Sequence, residues 1–256
     1  MTAQAPAKIN AFLKITGRRA NYHEMISRFI KIPELSDTIS FNEVNQSSEF
    51  TLDGNFNCTL EDNTIYKAYQ LLLENSDKQK IKKFFEVHTV TVDKKIPSFA
   101  GLGGGSSDAA TFMNMCNEHI GLGFDKDELA SFGVSIGADI PFFIYDYNVA
   151  NVSGIGDLVA PFEDEGLKFN TFTPDIECDT AKVFQHYAAK YYAPISKSDK
   201  RFFATLKTKE ALELYNTNSA NDLFKAAADI YPDLIPYATK NQFFSGSGST
   251  FFSLKD

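Results

Sequence analysis

Tryptophan is absent from the 256 residues, and cysteine occurs only three times, at Cys58, Cys116 and Cys178. An odd count without Cys-x-x-Cys spacing gives no support to a disulfide framework or a cysteine zinc site. The thiols fit buried or incidental positions in a reducing cytosol. No stretch approaches the roughly 20 apolar residues needed to cross a bilayer. Met1 to Thr16 also lacks the apolar core of a signal peptide. The expectation is a soluble, cytoplasmic protein with no membrane partner. Basic side chains are in deficit, 25 against 33 acidic ones for a formal charge of −8. That balance argues against a broad nucleic-acid-binding surface.

What is present is apolar and rich in phenylalanine: 43% apolar residues, with 24 Phe and 11 Tyr. Such a chain can bury well-packed interiors, and its length suits two domains. A boundary near residue 150 is expected, giving domains 1–150 and 151–256. No internal repeat or low-complexity tract interrupts them. Ile9, Ala11, Leu13 and Ile15 alternate with Lys8, Asn10 and Lys14, which predicts a strand over Ala7–Thr16. Further strands are predicted at Met25–Ile32, Thr38–Val44, Glu49–Leu52, Phe84–Val92, Phe142–Tyr145, Leu167–Thr173 and Phe251–Leu254. Helices are predicted at Asn63–Leu73, after the glycine loop, and at Asp127–Val134, Thr180–Ala189, Lys209–Leu214 and Asp222–Tyr231. Ser196–Lys200 is expected to be an exposed connection.

The most informative stretch is Pro97-Ser98-Phe99-Ala100-Gly101-Leu102-Gly103-Gly104-Gly105-Ser106-Ser107-Asp108. Glycine opens backbone conformations closed to other residues and lets a ligand approach the main chain. A helical stripe (Ala109, Ala110, Phe112, Met113, Cys116) follows at once, so the loop abuts a helix start. Free N–H groups and the positive end of the helix dipole converge there, which makes an anion cradle suited to nucleotide phosphates. Familiar phosphate loops do not fit. A Walker A loop needs a lysine, and none occurs between Lys95 and Lys126. The dinucleotide fingerprint breaks at Ser106, and a hydrolase elbow would need a glycine where Asp108 stands.

Gly-Leu-Gly-Gly-Gly-Ser-Ser-Asp-Ala-Ala resembles the second motif of the GHMP kinases, the family of galactokinase and of homoserine, mevalonate and phosphomevalonate kinases. Three further segments match in order. They are Ala5-Pro6-Ala7-Lys8-Ile9-Asn10, Gly137-Ala138-Asp139-Ile140-Pro141, and Ser245-Gly246-Ser247-Gly248 with the phenylalanines after it. The resemblance implies an α+β fold, with an N-terminal domain like ribosomal protein S5 domain 2 and a ferredoxin-like C-terminal domain. It implies a kinase using ATP and Mg²⁺ on a small molecule. Within the family, the triple glycine and Tyr22-His23 are most similar to the branch that phosphorylates a cytidine diphosphate derivative of methylerythritol. The alternatives are a homoserine or mevalonate type of kinase, or a relative that binds nucleotide without catalysis.

The same resemblance assigns candidate residues. Lys8 and Asp139 correspond to the catalytic pair: the carboxylate accepts the alcohol proton and the ammonium stabilises the forming alkoxide. Pro97, Gly101, Leu102, Gly103, Gly104, Gly105, Ser106 and Ser107 line the ATP phosphate site. Ser106 and Ser107 can also cap the helix or ligate Mg²⁺. Asn63 and Lys94 match adenosine contacts, though Asn63 also suits a helix N-cap and Lys94 a solvated position. Asn10, Tyr22, His23, Thr180 and Phe184 match the acceptor site, where Tyr22 and Phe184 would sandwich cytosine. Phe184 is equally compatible with a core position. Gly246 and Gly248 would form a tight turn supporting the phosphate loop. Asn221-Asp222 is expected to hold structure.

Overall fold

The computed structural model describes residues 1–43, 47 and 49–255. The chain divides into two compact units that are discontinuous in sequence. One holds Met1–Ala7, Pro33–Ile96 and Gly104–Asp146; the other holds Lys8–Ile32, Pro97–Gly103 and the chain from Tyr147 onward. Strands β1 (Thr2–Arg19) and β2 (Tyr22–Asn42) belong partly to each. The two strands predicted at Met25–Ile32 and Thr38–Val44 are therefore one, with Val44 outside the described residues. Pro33 has no N–H to give a ladder. It lies between the stretch of β2 paired with one antiparallel partner (Met25–Ile30) and the stretch paired with another (Thr38–Asn42).

In the first unit, β3 (Leu52–Gly54) runs parallel to β4 (Thr89–Asp93), which pairs antiparallel with Thr38–Asn42 of β2. Helices α1 (Thr64–Asn75) and α2 (Lys78–Phe85) lead into β4. Phe84 and Phe85 thus end a helix instead of opening the predicted strand. Asp77 decides this locally by accepting the N–H groups of Gln79 and Lys80. Helix α3 (Gly104–Cys116) continues into a π-turn at Asn117–Gly121. Helix α4 (Lys126–Gly133) opens with an Asp125–Glu128 capping box. The segment predicted as a strand at Phe142–Tyr145 is helix α5 (Ile140–Tyr145), begun by Asp139 and by Pro141 in its first turn. Phe41, Phe85 and Phe112 pack edge-on or stacked at centroid distances of 5.5–5.8 Å and form the aromatic centre of this unit.

In the second unit, Met25–Ile30 of β2 pairs antiparallel with β5 (Val149–Gly154), and β5 pairs with β6 (Leu158–Pro161). A second sheet contains β7 (Phe169–Phe172), β8 (Phe243–Phe244) and β9 (Phe251–Leu254), with β9 in the middle. Helices α6 (Thr180–Lys190), α7 (Lys197–Thr205), α8 (Thr208–Leu214), α9 (Thr217–Ala220) and α10 (Phe224–Ile230) complete the unit. The expected exposed connection at Ser196–Lys200 is the start of α7, because Ser196 and Asp199 make a capping box. Phe12, Ile26, Phe203, Leu206 and Ala211 form a buried core cluster here.

Arg28, fully buried, ties that core together. Its guanidinium pairs with Asp164, bonds Asn151 and the Leu206 carbonyl, and stacks 3.4 Å from the Phe162 ring centroid. Burial lowers its pKa to about 10, against the opposing pull of Asp164. Among the described residues, no helix is long and apolar enough to cross a membrane.

Candidate active site

Strand β1 is buried on both faces along Ala7–Leu13. The alternation in its sequence therefore does not put Lys8 and Asn10 in solvent; they are 3% and 1% exposed. Being two residues apart, they leave the strand on one side. Lys8 Nζ donates to Asn10 Oδ1 at 2.6 Å and to the Gly101 carbonyl at 3.1 Å. The ammonium also lies 4.6 Å from the Phe29 ring centroid. In so buried a setting the field of an ammonium is only weakly screened by solvent.

The glycine loop is fastened to this cluster through its backbone. The Lys8 N–H donates to the Leu102 carbonyl at 2.9 Å, and Ser245 Oγ donates to the Gly101 carbonyl at 2.9 Å. Gly101 and Gly103 both take positive φ, 72° and 71°. At Gly101 the need is also steric, since a Cβ would lie 2.2 Å from the Ser245 carbonyl oxygen. Leu102 is buried. Pro97 is exposed.

The third glycine motif forms the turn between β8 and β9, and Gly246 and Gly248 have φ of 57° and 96°. A Cβ on Gly246 would press on Asn10 Oδ1 and the Gly101 carbonyl, both 3.3 Å away; one on Gly248 would collide with the Phe244 ring. Asn221 grips this turn by donating from Nδ2 to the carbonyls of Phe244 and Gly246. Asp222 meanwhile accepts from the Ile15 N–H and pairs with Lys14. Ser247 Oγ meets Thr180 Oγ1 at 2.7 Å, so the exposed first residue of α6 is tethered to the same turn.

A separate aromatic group gathers around His23 in this unit. Phe184 stacks on the imidazole with centroids 5.6 Å apart, Tyr187 meets it edge-on at 5.8 Å, and Tyr192 lies at 5.8 Å. Phe184 is half-buried, not core, whereas Tyr22 is 63% exposed. Phe184 thus faces His23. Burial, assisted by the Arg18 charge, lowers the His23 pKa, which favours the neutral ring. His23 Nε2 is buried without a hydrogen-bond partner. The Arg18 guanidinium lies 4.1 Å from the Tyr192 ring centroid.

In the other unit, α3 starts at Gly104. Ser106 and Ser107 accordingly occupy the first helical turn and do not cap it, which corrects the expectation. Ser107 is fully buried, and its Oγ has no protein partner. Thr64 Oγ1 donates to the Gly105 carbonyl at 2.7 Å, which ties the start of α3 to the start of α1. Asn63 caps α1, accepting the Ile65 N–H at 2.9 Å.

Lys94 is not solvated: it sits between the carboxylates of Asp37 and Asp108, the latter at 2.6 Å. Asp37 also accepts the Ile96 N–H at 2.8 Å, so it pins the chain just ahead of the glycine loop. Burial pushes the Asp108 pKa up to about 7; Lys94 opposes the rise and Asp37 adds to it. Sequence reading missed this triad. Its only local signal was an aspartate following the two serines. Asp139 is half-buried at the start of α5, where its side chain does not cap the helix.

The family described as GHMP kinases N terminal domain matches residues 63–147. A 4-diphosphocytidyl-2-C-methyl-D-erythritol kinase of Sulfurimonas denitrificans is 47% identical over 256 residues, covering 99% of this chain and 96% of the relative. The chain belongs to the 4-diphosphocytidyl-2-C-methyl-D-erythritol kinase family. A relative of that name from a Sulfurovum species is 48% identical across 98% of each chain. A crystal structure of 4-(cytidine 5'-diphospho)-2C-methyl-D-erythritol kinase superposes with a TM-score of 0.74 at 26% identity, covering all of this chain and 90% of that one. The mevalonate kinase of Methanococcus jannaschii, at 17% identity and a TM-score of 0.60, shares the fold. The GHMP kinase fold implied by the motifs is therefore the fold of this member of the family.

Proposed function

We propose that this chain transfers the γ-phosphoryl group of ATP to the 2-hydroxyl of 4-diphosphocytidyl-2-C-methyl-D-erythritol, giving the 2-phosphate and ADP. In the transfer the 2-oxygen forms a bond to the γ-phosphorus. The bond from that phosphorus to the bridging oxygen breaks, and ADP leaves with the electron pair. The observation that carries this reading is the buried Lys8–Asn10–Gly101–Ser245 network. It joins a fixed positive charge, an amide and the phosphate loop in one rigid set of hydrogen bonds.

Each part has a distinct task. Backbone N–H groups from Gly103 into the first turn of α3 receive the phosphates, and the partnerless Ser107 hydroxyl is suited to a phosphate oxygen. Lys8 opposes the charge that builds on the reacting oxygen, Asn10 holds the alcohol, and Asp139 orients the hydroxyl and takes its proton. Phe184 offers a stacking face for cytosine, Tyr22, one residue before His23, supplies exposed aromatic surface, and the neutral His23 ring offers the base edge a nitrogen that otherwise lacks a partner. Thr180, tethered through Ser247, borders the acceptor site.

Mg²⁺ fits the hard oxygen donors of this segment, among them the partnerless Ser107 hydroxyl. The metal usually takes one or two protein groups plus phosphates and water, and Ser106 or Ser107 would serve. Bound there, it would neutralise phosphate charge.

A coupled ADP-release assay with the cytidyl substrate, homoserine and mevalonate tests the reading, run on the parent and on Asp139→Asn. Turnover is expected with the cytidyl substrate alone, and the variant should lose it by about 10²–10⁴-fold while still binding ATP. Near-normal turnover by the variant excludes the acid–base role. Preference for homoserine or mevalonate replaces the acceptor. ATP binding without transfer to any alcohol points to a non-catalytic protein.

A further inference from the structure

Ser27, on β2, has no part in the assignments above, yet it is fully buried directly behind Asn10. Its Oγ donates to the Phe12 carbonyl at 2.5 Å and accepts from Asn10 Nδ2 at 2.9 Å. A serine hydroxyl carries a single proton. With that proton committed to Phe12, Ser27 can only accept from Asn10. The amide must therefore present its NH₂ end to Ser27 and its oxygen to Lys8 Nζ, at 2.6 Å. The reverse orientation would set an NH₂ against an ammonium, donor facing donor, in a buried site where an unmet polar contact is costly. The Asn10 backbone is held as well, its N–H donating to Ser245 Oγ at 3.2 Å.

We propose that Ser27 is a positioning residue for phosphoryl transfer. By dictating which end of the Asn10 amide faces Lys8, it fixes the direction of the ammonium at the reacting alcohol without touching either substrate. The inference rests on the roles given above to Lys8 and Asn10. It adds to them a specific element of preorganisation, since small errors of direction at a catalytic charge reduce turnover far more than binding.

Steady-state kinetics of the full chain with ATP and the cytidyl substrate test this in a double-mutant cycle of Ser27→Ala and Asn10→Ala, with thermal unfolding of each variant alongside. Ser27→Ala should lower kcat about tenfold, the equivalent of one charge-linked hydrogen bond, and leave KM for ATP within twofold. Adding Ser27→Ala to Asn10→Ala should cost nothing further, because the group it acts through is gone. Should Ser27→Ala not fold, Ser27→Cys, of similar size but a weaker acceptor, enters the same cycle with a several-fold loss of kcat expected. The proposal is overturned by unchanged kcat in the Ser27 variant, or by an equal loss with Asn10 present and absent, which would mark a purely structural hydroxyl. Wild-type turnover by Asn10→Ala is a different failure: it removes the role of Asn10 itself.

Discussion

The backbone N–H of Asn10 donates to the side chain of Ser245 at 3.2 Å, and the same serine hydroxyl donates to the carbonyl of Gly101 at 2.9 Å. One buried hydroxyl thereby links the first strand, the glycine loop and the C-terminal turn. A polar group with all its bonds made inside a protein rigidifies what it touches. The phosphate loop is thus a fastened backbone, and its glycines answer to packing as much as to ligand access.

Gly101→Ala tests that view. The residue has φ of +72°, and the added Cβ would stand 2.2 Å from the Ser245 carbonyl oxygen. Backbone strain and overpacking together are expected to cost about 3 kcal/mol. Thermal unfolding should show Tm lowered by roughly 6–12 °C, on a scale of about 2–4 °C per kcal/mol for a chain of this size. KM for ATP should rise as the loop shifts. An unchanged Tm would show that the loop yields easily.

Lys94→Ala removes the cation shared by Asp37 and Asp108, whose side chains are 0% and 4% exposed. Breaking a buried pair by deleting one partner typically costs about 3–5 kcal/mol. Denaturant unfolding at pH 7.5 should show a loss of that order. A loss confined to ATP affinity, with stability intact, would instead make Lys94 a nucleotide contact only.

The same triad sets a pH dependence. In the folded protein the Asp108 carboxyl has its pKa raised to about 7 from an ordinary 3.8, mainly by burial. The native state thus holds this proton more tightly than the unfolded chain does. The resulting stabilisation is complete below about pH 4 and is lost as pH rises through about 7. Asp108→Asn should flatten the fall of Tm between pH 4 and 7 relative to the parent. Parallel profiles would exclude Asp108 as the titrating group.

Phe184→Ala addresses the acceptor site. The ring stacks on His23 at 5.6 Å and is only half-buried. Loss of base stacking worth about 1–3 kcal/mol corresponds to a rise of roughly 5- to 150-fold in KM for the cytidyl substrate. KM for ATP should stay within twofold. If both KM values rise together, the ring supports the fold and not the base.

Local signals revealed a good deal. The glycine and serine crowding at 101–107 marked the phosphate loop, and Asn63 before an amphipathic run marked the cap of α1. Elsewhere local signals conflicted. The run Ile-Pro-Phe-Phe-Ile-Tyr has strand-forming residues and no polar alternation, yet it forms α5, because Pro141 suits a first helical turn and five of its six residues are buried. The Lys8–Asn10 alternation signalled a strand, and only packing decided that both of its faces are covered. Asp37 and Lys94 pair across 57 positions, and Arg28 pairs with Asp164 across 136, distances at which no periodic pattern survives.

The sequence alone determined where backbone of unusual freedom occurs and which segments abut it, because glycine, proline and apolar spacing act within a few residues; the family was implied by the resemblance of four motifs in order. Tertiary structure alone decided that Lys8 is a buried charge, that Asn10 points its oxygen at it, and that Ser27 and Ser245 hold both in place. Those outcomes arise from hydrogen bonds between distant segments, where the cost of leaving a buried polar group unpaired selects one arrangement.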